Sequence, residues 1–141
     1  MNTTKDIAIN FIERIWNKQL FEELDHYLHT EFHDHSLPPS LPTTCEGTRQ
    51  WILLTSKSFE HETVIEEQVT EGDKTILRIR MHLKHIGPWR DIEATGISLS
   101  TTGYRYFLIK DQKIIEHRAL IDGNAIENQL KETFRGCKVP E

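Results

Sequence analysis

Residues 75–85 read Thr-Ile-Leu-Arg-Ile-Arg-Met-His-Leu-Lys-His, and their spacing decides the fold. Leu77, Ile79, Met81 and Leu83 recur at every second position, with Arg78, Arg80, His82 and Lys84 between them. Side chains alternate between the two faces of a strand, so the pattern predicts a long strand with one apolar and one cationic face. The apolar row runs in register into His85, a titratable group on the inward side near the strand's end. An acid, base or ligand contact inside a sheet-lined pocket would sit there. The plain alternative is a buried structural histidine bonded to a backbone carbonyl.

Working outward, the period of two begins near residue 62. Glu62–Thr70 is predicted as a strand, Glu71-Gly72-Asp73-Lys74 as a turn, and Thr75–Ile86 as the long strand. Gly87-Pro88 interrupts it. Ile97–Lys110, rich in Thr, Tyr and Phe, and Lys113–Ile121 supply two more strands joined at Asp111-Gln112. Ahead of the strands the period is helical. Ile7, Ala8, Phe11, Ile12, Ile15 and Trp16 form one stripe over about residues 4–18, behind a Thr3/Asp6 capping box. A second helix groups Phe21, Leu24, Tyr27 and Leu28. Residues 29–47 read as a loop because Pro38, Pro39 and Pro42 oppose both helix and strand pairing. Thr48 is expected to cap a third helix carrying Trp51, Ile52, Leu54 and Phe59. Asp122 or Asn124 would cap a closing helix of Ile126, Leu130 and Phe134, with Gly136 just past its end. Segregated helices and antiparallel strands imply an α+β domain with helices covering one face of a curved sheet.

The bulk numbers set the class. A chain of 141 residues is the size of one domain and buries enough surface to fold without disulfides or a structural metal. Cys45 and Cys137 are far apart and neither belongs to a CxxC pair, which points to a reducing, cytoplasmic setting. The start, Met-Asn-Thr-Thr-Lys-Asp, does not read as a secretory signal, and no apolar run approaches the ~18 residues of a membrane span. Formal net charge is −5 with Lys and Arg scattered, so neither nucleic acid nor membrane is an expected partner.

A family resemblance rests on Trp16-Asn17 ending the first helix, Asp34-His35-Ser36, Gly47, Gly72-Asp73-Lys74, Arg78 and His85-Ile86-Gly87. It continues through Thr95-Gly96, Gly103, Phe107, Asp111, Lys113-Ile114, Glu116-His117, Asp122 and Gln129-Leu130. In order and spacing these resemble the SnoaL-like polyketide cyclase family of the nuclear transport factor 2-like superfamily, over about residues 7–131. The resemblance implies a single domain over 1–141, with residues 136–141 as a flexible tail. It also implies a cone-shaped barrel, a strongly curved antiparallel sheet wrapping the N-terminal helices around an open-ended pocket. Cyclases of the family close a ring by an intramolecular aldol reaction without metal or organic cofactor. They use an aspartate as general acid–base and a histidine on a neighbouring strand. By spacing the histidine's place is held here by Arg105 and the aspartate's by Ala119. Asp122, three residues on, is a possible substitute, although an odd offset turns it to the other face.

The candidate pocket residues are therefore Trp16, Asp34, His35, His85, Arg105 and His117, with His85, His117 and Asp122 as candidate catalytic groups. Arg105 shares its face with Phe107 and Ile109. Buried there, it requires a carboxylate such as Glu67 or an anionic ligand. His117 alternates with Ile115, Ala119 and Ile121, and with His85 and Arg105 would give the pocket a positive lining suited to an enolate or carbonyl oxygen. Asp34-His35 is expected at the pocket rim, or in a mutual hydrogen bond that fixes the loop there. His33-Asp34-His35 invites a metal reading, but it sits in a polar loop and no metal site is assigned. The expected ligand is a small, largely apolar molecule with an acidic or carbonyl group. The expected activity is cofactor-free acid–base chemistry beside a carbonyl. The alternatives are a non-catalytic binding or carrier module and a dehydratase- or isomerase-like relative. A homodimer is expected from the resemblance alone.

Overall fold

The computed structural model describes residues 3–136. Cys137 and most of the segment read as a flexible tail therefore lie outside the described residues. Thr3 caps helix α1 (Thr4–Phe11) by accepting the Asp6 N–H at 3.2 Å. The stripe continues through a π-helical segment, Ile12–Asn17, so the long first helix is α in its first half and π in its second. Such wide turns are uncommon and tend to occur at functional positions. A 3₁₀ turn (Phe21–Glu23) and one turn of helix, α2 (Leu24–Tyr27), follow.

Next comes a strand where a loop was expected, β1 (Leu28–Asp34). Only Leu28 and Phe32 mark its inward face with apolar side chains, and the third inward residue is Asp34. That row is too short and too polar to read as a strand. Helix α3 (Cys45–Ser58) begins earlier than predicted, with Thr44 at its N-cap and Thr48 buried inside it. Gly47 allows this start: a Cβ there would lie 1.7 Å from the Pro42 carbonyl oxygen. Phe59 belongs to the next strand, β2 (Phe59–Glu71), followed by β3 (Lys74–His85), β4 (Ser98–Lys110), β5 (Lys113–Ile121) and helix α4 (Gly123–Gly136).

The class is α+β. The sheet order is β1-β5-β4-β3-β2, antiparallel except for the parallel β1–β5 pair. It is thus a mixed, open sheet rather than the wholly antiparallel barrel expected. Bulges at Glu66 and Ile115 interrupt it, and such insertions bend a strand and increase its twist. Helix α1 touches β2, β3 and β5, so the sheet spreads around it. Ile7, Phe11, Ile12 and Ile15 pack with Leu77, Ile79, Phe107 and Ile114 into one core, with the Phe11 and Phe107 rings edge to face at 5.8 Å. No helix among the described residues is long and apolar enough to cross a membrane.

Candidate active site

The inward row of β4 is Thr101, Gly103, Arg105, Phe107 and Ile109, all buried. On β5 the bulge at Ile115 changes the parity, so Ile114 and His117 face inward and Ile115 is half-buried. The expected alternation of Ile115 with His117 therefore fails while His117 still points in. Register then assembles the site. Parallel pairing sets Asp34 of β1 opposite His117 of β5, and antiparallel pairing sets His117 opposite Phe107 and Ala119 opposite Arg105.

Asp34, His117 and Arg105 form a buried relay. The His117 Nδ1–H donates to Asp34 Oδ2 at 2.8 Å. An Arg105 Nη1–H points at His117 Nε2 from 3.4 Å, near the long limit for a hydrogen bond. The other carboxylate oxygen of Asp34 accepts from the Ser36 N–H at 2.9 Å and the Ser36 hydroxyl at 2.6 Å. The Ser36 oxygen in turn accepts the Ala119 N–H at 3.1 Å, tying the loop after β1 to β5. The Arg105 guanidinium lies 4.4 Å over the Trp16 ring. No carboxylate lies within 4 Å of it among the described residues, and its buried Nε–H has no acceptor there.

Burial is the largest influence on each group, and the neighbours decide the outcome. Burial would raise the Asp34 carboxyl, but the hydrogen bonds from His117 and Ser36 hold it below the usual carboxylate range. Burial lowers His117 below the ordinary 6.5, with Arg105 adding to the effect and Asp34 opposing it. Burial also pushes Arg105 down to about 10, which leaves it charged at neutral pH. The arrangement at pH 7 is an anionic Asp34, a neutral His117 whose Nε2 carries a lone pair, and a cationic Arg105.

Two hollows meet at Arg105. The larger, about 430 Å³, is mostly apolar, with Trp16, Phe59, Met81, Leu83, Trp89 and Ile126 in its wall. The smaller, about 260 Å³, is lined by Asp34, Ser36, His117 and Ala119 among others. Trp51, Arg105 and Ile121 border both. The volume of the larger hollow lies in the range of small-molecule sites, and so does its mix of apolar wall and few polar groups.

The structure brings together Trp16, Asp34, Arg105 and His117 and leaves the other candidates apart. His85 is buried but lines neither hollow. Its Nδ1 accepts the Thr95 N–H at 3.2 Å and lies 3.0 Å from the Thr95 hydroxyl. His35 stands at the surface with Nε2 3.3 Å from Glu116, and the proposed bond between Asp34 and His35 is replaced by Asp34 to Ser36 and His117. Asp122 is exposed and caps α4 by accepting the Ala125 N–H, so it does not substitute for the carboxylate missing at Ala119. Glu67 pairs with Arg78 at 2.9 Å, not with Arg105, because the bulge at Glu66 turns it outward. His33 bonds Thr43, and no group of three metal-ligating side chains occurs among the described residues. Ser36 was missed as a site residue, although the Asp-x-Ser spacing is a recognisable turn signal. Trp89 was missed as a cavity wall.

The chain matches the SnoaL-like polyketide cyclase family model over residues 6–130. No curated protein matches. Among solved structures, TsrD from Streptomyces laurentii is 27% identical, with 89% of this chain and 92% of that one covered at a TM-score of 0.78. IdmH from Streptomyces antibioticus is 20% identical over 92% of this chain and 99% of that one, with a TM-score of 0.83. A SnoaL-like polyketide cyclase from Agrobacterium tumefaciens is 19% identical over the same shares, with a TM-score of 0.77. At 19–20% identity the last two speak for the fold alone. The family match spans most of the sequence, and the chain belongs to the SnoaL-like polyketide cyclase family.

Proposed function

We propose that the protein is a cofactor-free enzyme that moves a proton at a carbon beside a carbonyl, in the manner of a polyketide or ester cyclase. The observation that carries this reading is the neutral His117, aligned by Asp34 and placed beside the Arg105 cation where two hollows meet. His117 Nε2 takes the proton from the α-carbon. The C–H electron pair forms the enolate double bond, and the charge moves onto the carbonyl oxygen. An N–H of Arg105 stabilises that oxygen. The enolate carbon attacks a second carbonyl of the same molecule, whose oxygen then receives the proton back from His117. The 3.4 Å contact between Arg105 and His117 is weak enough for substrate to displace. Asp34 keeps the proton on Nδ1 and so keeps the Nε2 lone pair toward the substrate.

This assignment moves the general base from the position now held by Ala119 to His117. The ligand is a small, largely apolar molecule carrying a carbonyl or acidic group, and the protein works in the cytoplasm. The outer face of the sheet pairs Tyr104 with Leu120, both exposed and the latter 81% so, and we assign this exposed pair to a homodimer contact. A light-scattering mass of one 16.6 kDa chain would remove that assignment.

The test is α-hydrogen exchange into D₂O, followed by NMR on a panel of aryl 1,3-diketones and β-keto esters. The protein should accelerate exchange for at least one member, and His117→Gln should abolish the acceleration. Exchange at the uncatalysed rate across the panel would favour the second reading, a binding or carrier module. Ala119 is the specific observation behind that alternative, since an inert methyl stands where the family resemblance implies a carboxylate. A dehydratase or isomerase would begin with the same proton abstraction and would differ in its product.

A further inference from the structure

We propose that this hollow prefers an oxyanion to a neutral oxygen, either a carboxylate or the enolate that proton abstraction from a 1,3-dicarbonyl forms, and that Arg105 is the residue that binds it. The inference rests on the reading of the hollow as a small-molecule site and adds the charge state that it favours.

Arg105 is a nearly inaccessible cation on the inward face of β4, bordering both hollows. A buried guanidinium ordinarily sits in a bidentate pair with a carboxylate, because removing the charge from water is costly unless its donors are used. Here the only polar partner among the described residues is one long contact to a histidine nitrogen, and the Nε–H has none. Asp34 is the nearest acid in the relay, but its oxygens are taken by Ser36 and by His117. It therefore offsets the charge at a distance without supplying an acceptor. The Trp16 ring centroid lies 4.4 Å from the guanidinium carbon, a cation–π contact that supplies no acceptor oxygen. An anionic oxygen reaching the guanidinium from either hollow would make a charge-assisted bond, whereas a neutral carbonyl would make a weaker one. The apolar wall of the larger hollow then receives the hydrocarbon body of the same molecule.

The experiment is isothermal titration calorimetry at pH 8 with 2-naphthoate against its neutral isostere 2-naphthamide. A parallel arm uses 2-acetylcyclohexane-1,3-dione, which is ionised at that pH. At least one anion should bind, roughly 10–100-fold more tightly than the amide, as expected for hydrogen bonds to a charged group. Arg105→Gln and Arg105→Met should remove that preference. The arm that binds identifies the source of the oxyanion. Equal binding of naphthoate and naphthamide overturns the proposal, as does absence of saturable binding by both anions, or a preference that survives in a folded Arg105 variant. The wild-type comparison stands alone if both variants fail to fold. Anion preference with no exchange activity would sink the catalytic reading and leave this one intact; exchange activity without anion preference would do the reverse.

Discussion

His85 and His117 are buried to nearly the same degree, 0% and 4% exposed, and both project from the inward face of one sheet. Their surroundings differ in every respect that matters for chemistry. At the end of β3, His85 accepts a backbone N–H on Nδ1, which puts its proton on Nε2, and its ring lies against Phe59 at 5.3 Å. It fastens the segment after β3, and its backbone exchanges hydrogen bonds with Ile97 and Gly96. On β5, His117 donates from Nδ1 to a carboxylate, which leaves Nε2 unprotonated with only the long Arg105 contact, at the edge of a hollow. Burial alone does not make a histidine functional. The partner on one nitrogen sets what the other can do.

The contrast is broken most severely by exchanging the expected roles. His117→Gln should lower any catalysed α-exchange by roughly 10²–10⁴-fold, the usual worth of a placed proton acceptor. His85→Gln should leave that rate near wild type and lower thermal stability instead. A reversal of those results would return His85 to the mechanism. Asp34→Asn should cost roughly 10–100-fold in rate with little change in ligand affinity, because it removes the group that orients the imidazole without touching the ligand.

Acidity sharpens the comparison further. His117 titrates below the ordinary 6.5, chiefly because it is buried, so as a base it should remain active at that pH and lose activity only lower. The alkaline limb should follow Arg105 near pH 10. Stability follows by linkage. Below pH 6.5 the unfolded chain binds a proton on His117 that the folded chain refuses until lower pH, so stability rises with pH through that window. It is fully present above 6.5 and lost as acid is added. Urea titrations of His117→Gln from pH 5 to 7.5 should show a flatter dependence than wild type. The smallest effect is expected at Thr95→Val, which removes the hydroxyl contact to His85 and should cost ~1 kcal/mol by urea titration with activity retained.

What the sequence could disclose follows from what each feature depends on. The inward rows of β3 and β4 are local alternations, so Leu77 through His85 and Arg105 with Phe107 were legible as facing one interior. The stripe from Ile7 to Trp16 was legible as a helix for the same reason, though not its change to π winding. Asp34 is a different case. Its role depends on a parallel register between β1 and β5 that joins residues 83 positions apart, and β1 carries too few apolar residues to announce itself. With that strand read as loop, Asp34 could only be set at a rim. The two bulges were equally silent, and each altered a reading: Glu67 turned away from Arg105, and Ile115 gave its inward place to Ile114. Asp122 was available both as a helix cap and as a spare acid, and the Ala125 N–H decides for the cap.

The most direct test needs no substrate. Long-range ¹⁵N–¹H correlation spectra of the histidine side chains, recorded from pH 8 down to 5, report the tautomer and the charge of each ring. His117 should carry its proton on Nδ1 and stay mostly neutral at pH 6.5, while His85 should carry its proton on Nε2. An imidazolium at His117 at neutral pH, or a proton on its Nε2, would contradict this, because His117 would then have no lone pair with which to take a proton.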